Sequence, residues 1–149
     1  MRPLFAASLL LIAATACARA PLAPPRPAAL QLSMERDGEA RRPLTMCLAA
    51  DGSFAGASHE DGMTLSVSGR LTAARGTALP TVNLHLEKRE GEARQRLDNQ
   101  LALEAGKTLL GAMLLQVHPQ DEASGVEPQQ SSLTFYLEPL AACPPAPQP

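Results

Sequence analysis

Residues 63–71 read Met-Thr-Leu-Ser-Val-Ser-Gly-Arg-Leu, and this stretch decides the fold class. Apolar and polar residues alternate along it, with the apolar set at Met63, Leu65, Val67 and Leu71. Successive side chains of a strand point to opposite faces of its sheet. The pattern therefore predicts a strand with one face in a hydrophobic core and the other in water.

The same alternation recurs on both sides of this stretch, at residues 30–34, 44–48, 82–86, 97–103 and 133–137. Turn signals such as Asp37-Gly38 and Asp51-Gly52 separate the runs. The most apolar segment, 108–117, is predicted to be a central strand, and residues 53–61 are predicted to be a loop. Together they predict an all-β fold, a small antiparallel β-sandwich or barrel of roughly seven or eight short strands.

The first residues of the chain are typical of an export signal. Arg2 is the only charge before Arg19, and the run between residues 4 and 16 is almost wholly apolar. A basic start, a short apolar run and small residues at its end form a secretory signal peptide. This run is shorter than the roughly 20 residues that a membrane-spanning helix needs. We therefore predict a cleaved signal peptide at residues 1–16.

Residues 14–17, Ala-Thr-Ala-Cys, resemble the lipobox of bacterial lipoproteins. The resemblance implies that Cys17 becomes the first mature residue and carries lipid, with acyl chains such as palmitate. Ala18 is not the Asp that retains many such lipoproteins at the inner membrane, so the resemblance implies outer-membrane anchoring. The alternative is ordinary cleavage after Ala18 or Ala20, which would release a soluble periplasmic protein.

The remaining chain divides into three segments by composition. Residues 17–29 are rich in proline, which prevents a helix and favours an extended spacer, so they are predicted to be a membrane tether. Residues 30–143 form a single β-domain, because about 130 mature residues suit one modest core. Residues 144–149 are a proline-rich tail with nothing to bury, predicted to be disordered.

Charge and aromatic content exclude some function classes. Loss of residues 1–16 removes one base and leaves twelve Lys and Arg against fifteen Asp and Glu. This mild, dispersed acidity gives no electrostatic footprint for nucleic acid. The chain has no Trp, one Tyr and three Phe, so its core is expected to be aliphatic.

The cysteines predict a structural disulfide. If Cys17 carries lipid, Cys47 and Cys143 remain as one pair in an oxidising compartment, where such pairs are usually bonded. A redox role is disfavoured because the spacing is not the Cys-x-x-Cys that lowers a thiol pKa.

Few residues suggest chemistry. The chain has no Gly-x-Ser-x-Gly elbow, no phosphate-binding glycine loop and no His-Glu-x-x-His motif. His59-Glu60-Asp61 offers metal-ligand types, but in a predicted loop such a run is more often a solvated turn. The charged run 87–96 alternates in sign and is predicted to be a hairpin tip. A soluble tip that discourages edge pairing is favoured there over a recognition hairpin.

These observations predict a cell-envelope lipoprotein that faces the periplasm and has a non-catalytic β-domain. The domain is expected to bind or scaffold another envelope component, through exposed strand edges or the charged hairpin, without a cofactor or bound metal. A periplasmic metal or small-ligand carrier that uses His59 is the alternative. A hydrolase with a dispersed site ranks last.

Overall fold

The computed structural model describes residues 26–73, 78–116 and 130–145. Within these ranges no helix is long and apolar enough to cross a membrane. The structure there consists of nine strands: β1 (Ala29–Arg36), β2 (Glu39–Ala40), β3 (Leu44–Cys47), β4 (Ser53–Glu60), β5 (Met63–Thr72), β6 (Thr81–Glu90), β7 (Ala93–Ala102), β8 (Thr108–Gln116) and β9 (Gln130–Leu140). The predicted signal peptide and most of the predicted tether lie outside the described residues.

The strands form two antiparallel sheets, which confirms the all-β, sandwich-like prediction. In the first sheet, β9 pairs with the whole of β1, and β8 pairs with β9. The strands β2 and β3 follow one another along the other side of β1. The second sheet has the order β4-β5-β6-β7 and is a simple meander of neighbouring strands.

The core lies between the sheets and is built from the alternating positions of the sequence. The predicted apolar face of residues 63–71 is the inner face of β5, where Leu65 is fully buried. Phe135 of β9 is the largest fully buried side chain, and its neighbours are mostly leucines. Met34 and Met46 are also buried, so these two methionines fill the core.

Residues 53–60 form the edge strand β4, so the prediction of a loop there was wrong. Their alternation is weak because neighbouring side chains occupy the inner face. A Cβ on Gly56 would lie 2.7 Å from Cγ of Met46 in β3, and one on Gly69 of β5 would lie 2.5 Å from Cζ of Phe54. The two glycines therefore make room for larger side chains from adjacent strands.

The strand β8 lies at the edge of the first sheet, so the prediction of a central strand for this apolar segment was also wrong. Leu109 and Leu114 of β8 are exposed by 59% and 60%. Amide side chains of β7 connect the two sheets here. Gln95 donates to the Leu114 carbonyl at 3.0 Å, and Asn99 donates to the Leu110 carbonyl at 2.7 Å.

The two ends of the sandwich differ. The chain enters β1 at one end, which we call the tether end, and Ala28 there donates its backbone N–H to the Leu140 carbonyl. The turns β1–β2, β4–β5 and β6–β7 share the opposite end, which we call the distal end. Arg36, Asp61 and Glu90, from beside or within these turns, line one small cleft there.

The predicted disulfide is present. Cys47 at the end of β3 and Cys143 beyond β9 are bonded, with their Cα atoms 5.4 Å apart. The bond lies at the tether end, beside Ala29, which pairs with both Cys47 and Leu140. It fastens the segment after β9 to the end of β3, next to the first residue of β1.

We expect that replacing Cys47 and Cys143 with alanine lowers the free energy of unfolding by about 2–4 kcal/mol, because the cross-link restricts the unfolded chain. The loop that it closes is long, with a sequence separation of 96. Urea denaturation of the protein, purified without reductant, measures the change when it is repeated with reductant. Reductant should have no further effect on the double variant, and free thiols at both positions in the native protein would contradict the bond.

Candidate functional site

The outer face of the second sheet is a regular grid of side chains, which we call the polar face. The pairing register places one residue from each of β4, β5, β6 and β7 in each cross-strand row. From the distal end, the rows are His59–Thr64–Arg89–Arg94, Ala57–Ser66–Glu87–Arg96, Ala55–Ser68–His85–Asp98 and Ser53–Arg70–Asn83–Gln100. Four rows and four strands cover about 20 Å by about 14 Å at ordinary strand spacings.

The charged run 87–96 lies mostly on strands, so the prediction that all of it forms a hairpin tip was wrong. The turn consists of Gly91 and Glu92 alone, because β6 continues to Glu90 and β7 begins at Ala93. Gly91 has φ +57°, the left-handed conformation that a tight hairpin turn needs. Strand alternation then separates the charges, and four of the seven fall on the polar face.

Four of these residues form an arginine cluster, defined as Glu87, Arg89, Arg94 and Arg96. The Glu87 carboxylate accepts from Nε of Arg89 at 2.5 Å and from Nε of Arg96 at 3.1 Å. It also pairs with Nη2 of Arg94 at 2.5 Å. The Glu87 side chain is only 8% exposed, whereas the three arginine side chains are 46–59% exposed. One covered carboxylate thus holds three accessible guanidinium groups.

The electrostatics of the cluster favour the ionised carboxylate. The hydrogen bond from Arg94 is the largest influence on Glu87, and bonds from Arg89 and Arg96 act in the same direction. They outweigh the opposing effect of burial and lower the pKa of Glu87 to about 2. At neutral pH the cluster therefore holds three positive charges against one negative charge, within a chain of net charge −2.

The other ionisable side chains of the polar face also have partners. His85 bonds to Asp98 across β6 and β7. Arg70 of β5 pairs with Asp51 at 2.9 Å. The pKa of Asp51 is lowered chiefly by hydrogen bonds from the hydroxyl and backbone N–H of Ser53. These pairs leave the surplus positive charge concentrated in the distal half of the face.

The inward-facing charges of the hairpin close the distal end of the core. Lys88 is buried, and its Nζ donates to Glu90 at 2.6 Å. Asp37, in the β1–β2 turn, accepts from the Ser131 hydroxyl at 2.5 Å and from the Ser132 backbone N–H at 2.7 Å. The Ser131 hydroxyl bond is the main cause of the lowered pKa of Asp37. Both arrangements join parts of the domain to one another and serve the fold.

No family model matches the chain, and no curated protein or solved structure is significantly similar to it. The geometry of its own residues must therefore carry any functional argument.

The predicted ligand residues are not brought together. His59 lies on the polar face, where its Nδ1 is 3.0 Å from Oγ1 of Thr64. Glu60 shares a row with the inward-facing Met63, and Asp61 is in the turn, 3.8 Å from Arg41. Among the described residues, no group of three His, Cys, Asp or Glu side chains is placed to hold a metal. Cys17, the predicted lipidation site, lies outside the described residues.

Sequence reasoning missed the arginine cluster, although its signal is visible. Glu87 and Arg89 are two residues apart, as are Arg94 and Arg96, on either side of the glycine turn. In a hairpin with a two-residue turn, this spacing places all four side chains on one face. The length of the turn was the missing fact.

We expect Glu87→Gln to lower the melting temperature at neutral pH, because the variant loses a carboxylate stabilised by three arginines. Since the folded pKa of about 2 is below the ordinary 4.5, this stabilisation is complete above about pH 5. It is lost as the pH falls through the folded value.

The measurement is the melting temperature of both proteins from about pH 7 to about pH 2. Their difference should shrink towards zero at the acidic end. Glu92→Gln removes the same charge from the exposed turn and serves as the control. A difference between wild type and Glu87→Gln that does not change with pH would contradict the ion-pair explanation.

Proposed function

We propose that this chain is a cell-envelope lipoprotein whose β-sandwich binds another envelope component through the polar face. The leader and the lipobox-like residues 14–17 support export and lipidation at Cys17. The Cys47–Cys143 disulfide supports an oxidising compartment such as the periplasm. The proline-rich segment supports a tether between membrane and domain.

The arginine cluster is the single observation that carries the binding role. Side-chain entropy normally keeps surface arginines mobile, and holding one in place costs free energy. Here Glu87 holds three of them on one face of the sheet while their side chains remain about half exposed. Because these donors are already held in place, less side-chain conformational entropy is lost when a partner binds.

The position of the cluster supports the same proposal. Arg89 and Arg94 form the row next to the β6–β7 turn, at the distal end. The tether joins the domain at the opposite end, where Ala29 begins β1. A lipid at Cys17 would therefore leave the cluster on the side of the domain away from its own membrane.

The proposal assigns no catalysis to the domain. General acid–base catalysis works best with a pKa near the working pH. On the polar face and in the turn beside it, the carboxylate pKa values that shift, those of Glu87 and Asp51, move down and away from neutrality. These groups are suited to charge pairing, which supports a binding role.

The lipoprotein part of the proposal predicts a mature chain that begins at Cys17 and carries acyl groups. Intact mass spectrometry of membrane and soluble fractions, without reductant, measures both features. Cys17→Ser should move the protein out of the membrane fraction, because the acyl chains that would anchor it are lost with the cysteine. A lipid-free wild-type chain that begins at Arg19 or Pro21 in the soluble fraction would contradict lipidation.

The binding part predicts that a photo-crosslinking residue at position 66 captures an envelope partner in intact cells. Ser66 lies on the polar face beside Glu87 and is exposed. Position 112 is the matched control, because Ala112 is small, exposed and on the outer face of β8. We expect the adduct at 66 to be lost in the Arg94→Gln, Arg96→Gln double variant. Equal capture at both positions would contradict a specific face.

A further inference from the structure

We infer that the partner of the polar face is an acidic glycan, a sugar chain bearing carboxylate or phosphate groups. This inference rests on the proposed function and names the chemistry of the same surface. The arginine cluster would bind the acidic groups, and the serine and amide side chains of the adjoining rows would bind sugar hydroxyls.

The cluster fits an anion in charge and in geometry. Each guanidinium has five N–H donors, and each is paired with Glu87 through one nitrogen, so donors remain for a ligand. Planar guanidinium groups match carboxylate and phosphate oxygens well, often with two parallel hydrogen bonds. Three positive charges around one carboxylate also attract an acidic group from solution.

The rest of the polar face matches a hydroxylated chain. Ser66, Ser68, Asn83 and Gln100 are all exposed and supply hydroxyl and amide groups that both donate and accept hydrogen bonds. They continue from the cluster along the strands, over a length of about 20 Å for the four rows. An extended chain of several sugars covers that distance, whereas an isolated phosphate ion would contact the cluster alone.

The outward side chains of β4 in the second and third rows are small, so they project little from the sheet along that edge of the polar face. Ala55 and Ala57 occupy the positions beside Ser68 and Ser66. A separate shallow depression lies on β5, β6 and β7 and is lined by residues of the third and fourth rows, including Arg70, His85 and Asp98. It is open to solvent, which suits a polymer lying along the surface better than an enclosed small molecule.

The direction of the face favours a polymer over a lipid bilayer. The strands of the second sheet run between the tether end and the distal end, so the polar face forms a side of the domain. A membrane at the distal end would contact the turns at Gly38, Gly62 and Gly91. It would leave most of the grid unoccupied, whereas a glycan chain can follow the rows.

The test uses the mature protein, purified after export, and a short oligogalacturonate as the acidic probe. A neutral malto-oligosaccharide of equal length, inorganic phosphate and phosphatidylglycerol vesicles are the comparison probes. We expect salt-sensitive binding of the oligogalacturonate, with NMR shift changes at Ser66, Arg94 and Arg96. Binding of the neutral sugar, or equal binding of phosphate or vesicles, would overturn the inference.

The double variant Arg94→Gln, Arg96→Gln should weaken oligogalacturonate binding about tenfold or more. Each arginine would lose its charged hydrogen bonds to the ligand, and such bonds contribute more to affinity than neutral ones. Arg42→Gln is the control, because Arg42 is an exposed arginine of the β2–β3 connection, away from the polar face. An equal loss in the control would mean that only net charge matters, which would overturn the site.

Glu87→Gln provides a second, independent test. The variant makes the cluster more positive, so a purely electrostatic surface would bind the acidic glycan more tightly. If Glu87 holds the guanidinium groups in position, binding should instead weaken severalfold. Tighter binding would overturn the pre-organised site, and the spectra of the free variant report whether it remains folded.

The glycan inference and the proposed function fail in different ways. A partner adduct at position 66 that depends on Arg94 and Arg96, together with no binding of oligogalacturonate, would retain the binding role and reject the glycan. Loss of both results would reject the two together.

Discussion

The pairing register of β5, β6 and β7 is the constraint on which the rest of the structure depends. Along β6, Leu86 must face the core, so Glu87 must face outward. A slip of one residue would exchange the two faces and place charges among leucines. Burial of the aliphatic inner face therefore sets the register, and the register in turn builds the polar face. The site is a consequence of how the core is filled.

The arginine cluster shows how this constraint concentrates charge. Arg89 and Arg94 are direct cross-strand partners, and two like charges in that position would repel each other. Glu87 removes the conflict by bonding to both and to Arg96. Its lowered pKa and its burial beneath the guanidinium groups are two effects of the same contact. Lys88, the next residue, pairs with Glu90 on the opposite face.

Sequence reasoning succeeded where a strand buries one face and shows the other to water. The strands around Leu32, Val67, Leu86 and Phe135 follow their apolar alternation, and the bonded cysteine pair agrees with the pairing predicted from the cysteine count. It failed for β4, because the Met46 side chain fills the space inside Gly56. The inner face of β4 therefore has a glycine where an alternating strand would have an apolar side chain. It failed for β8, because an apolar strand at an edge resembles one at the centre. The packing of Met46 on Gly56 and the edge position of β8 both depend on other strands, so the residues of β4 or β8 alone cannot reveal them.

The sequence by itself determined the fold class, the aliphatic core, the disulfide and the expectation of export, since each depends on residue type, period-two spacing or a short motif. Only the tertiary structure decided which strands lie side by side and how long the hairpin turn is. Those two facts convert a run of alternating charges into three guanidinium groups around one carboxylate. The physical reason is that periodicity assigns a side chain to a face, whereas its neighbours on that face come from other strands.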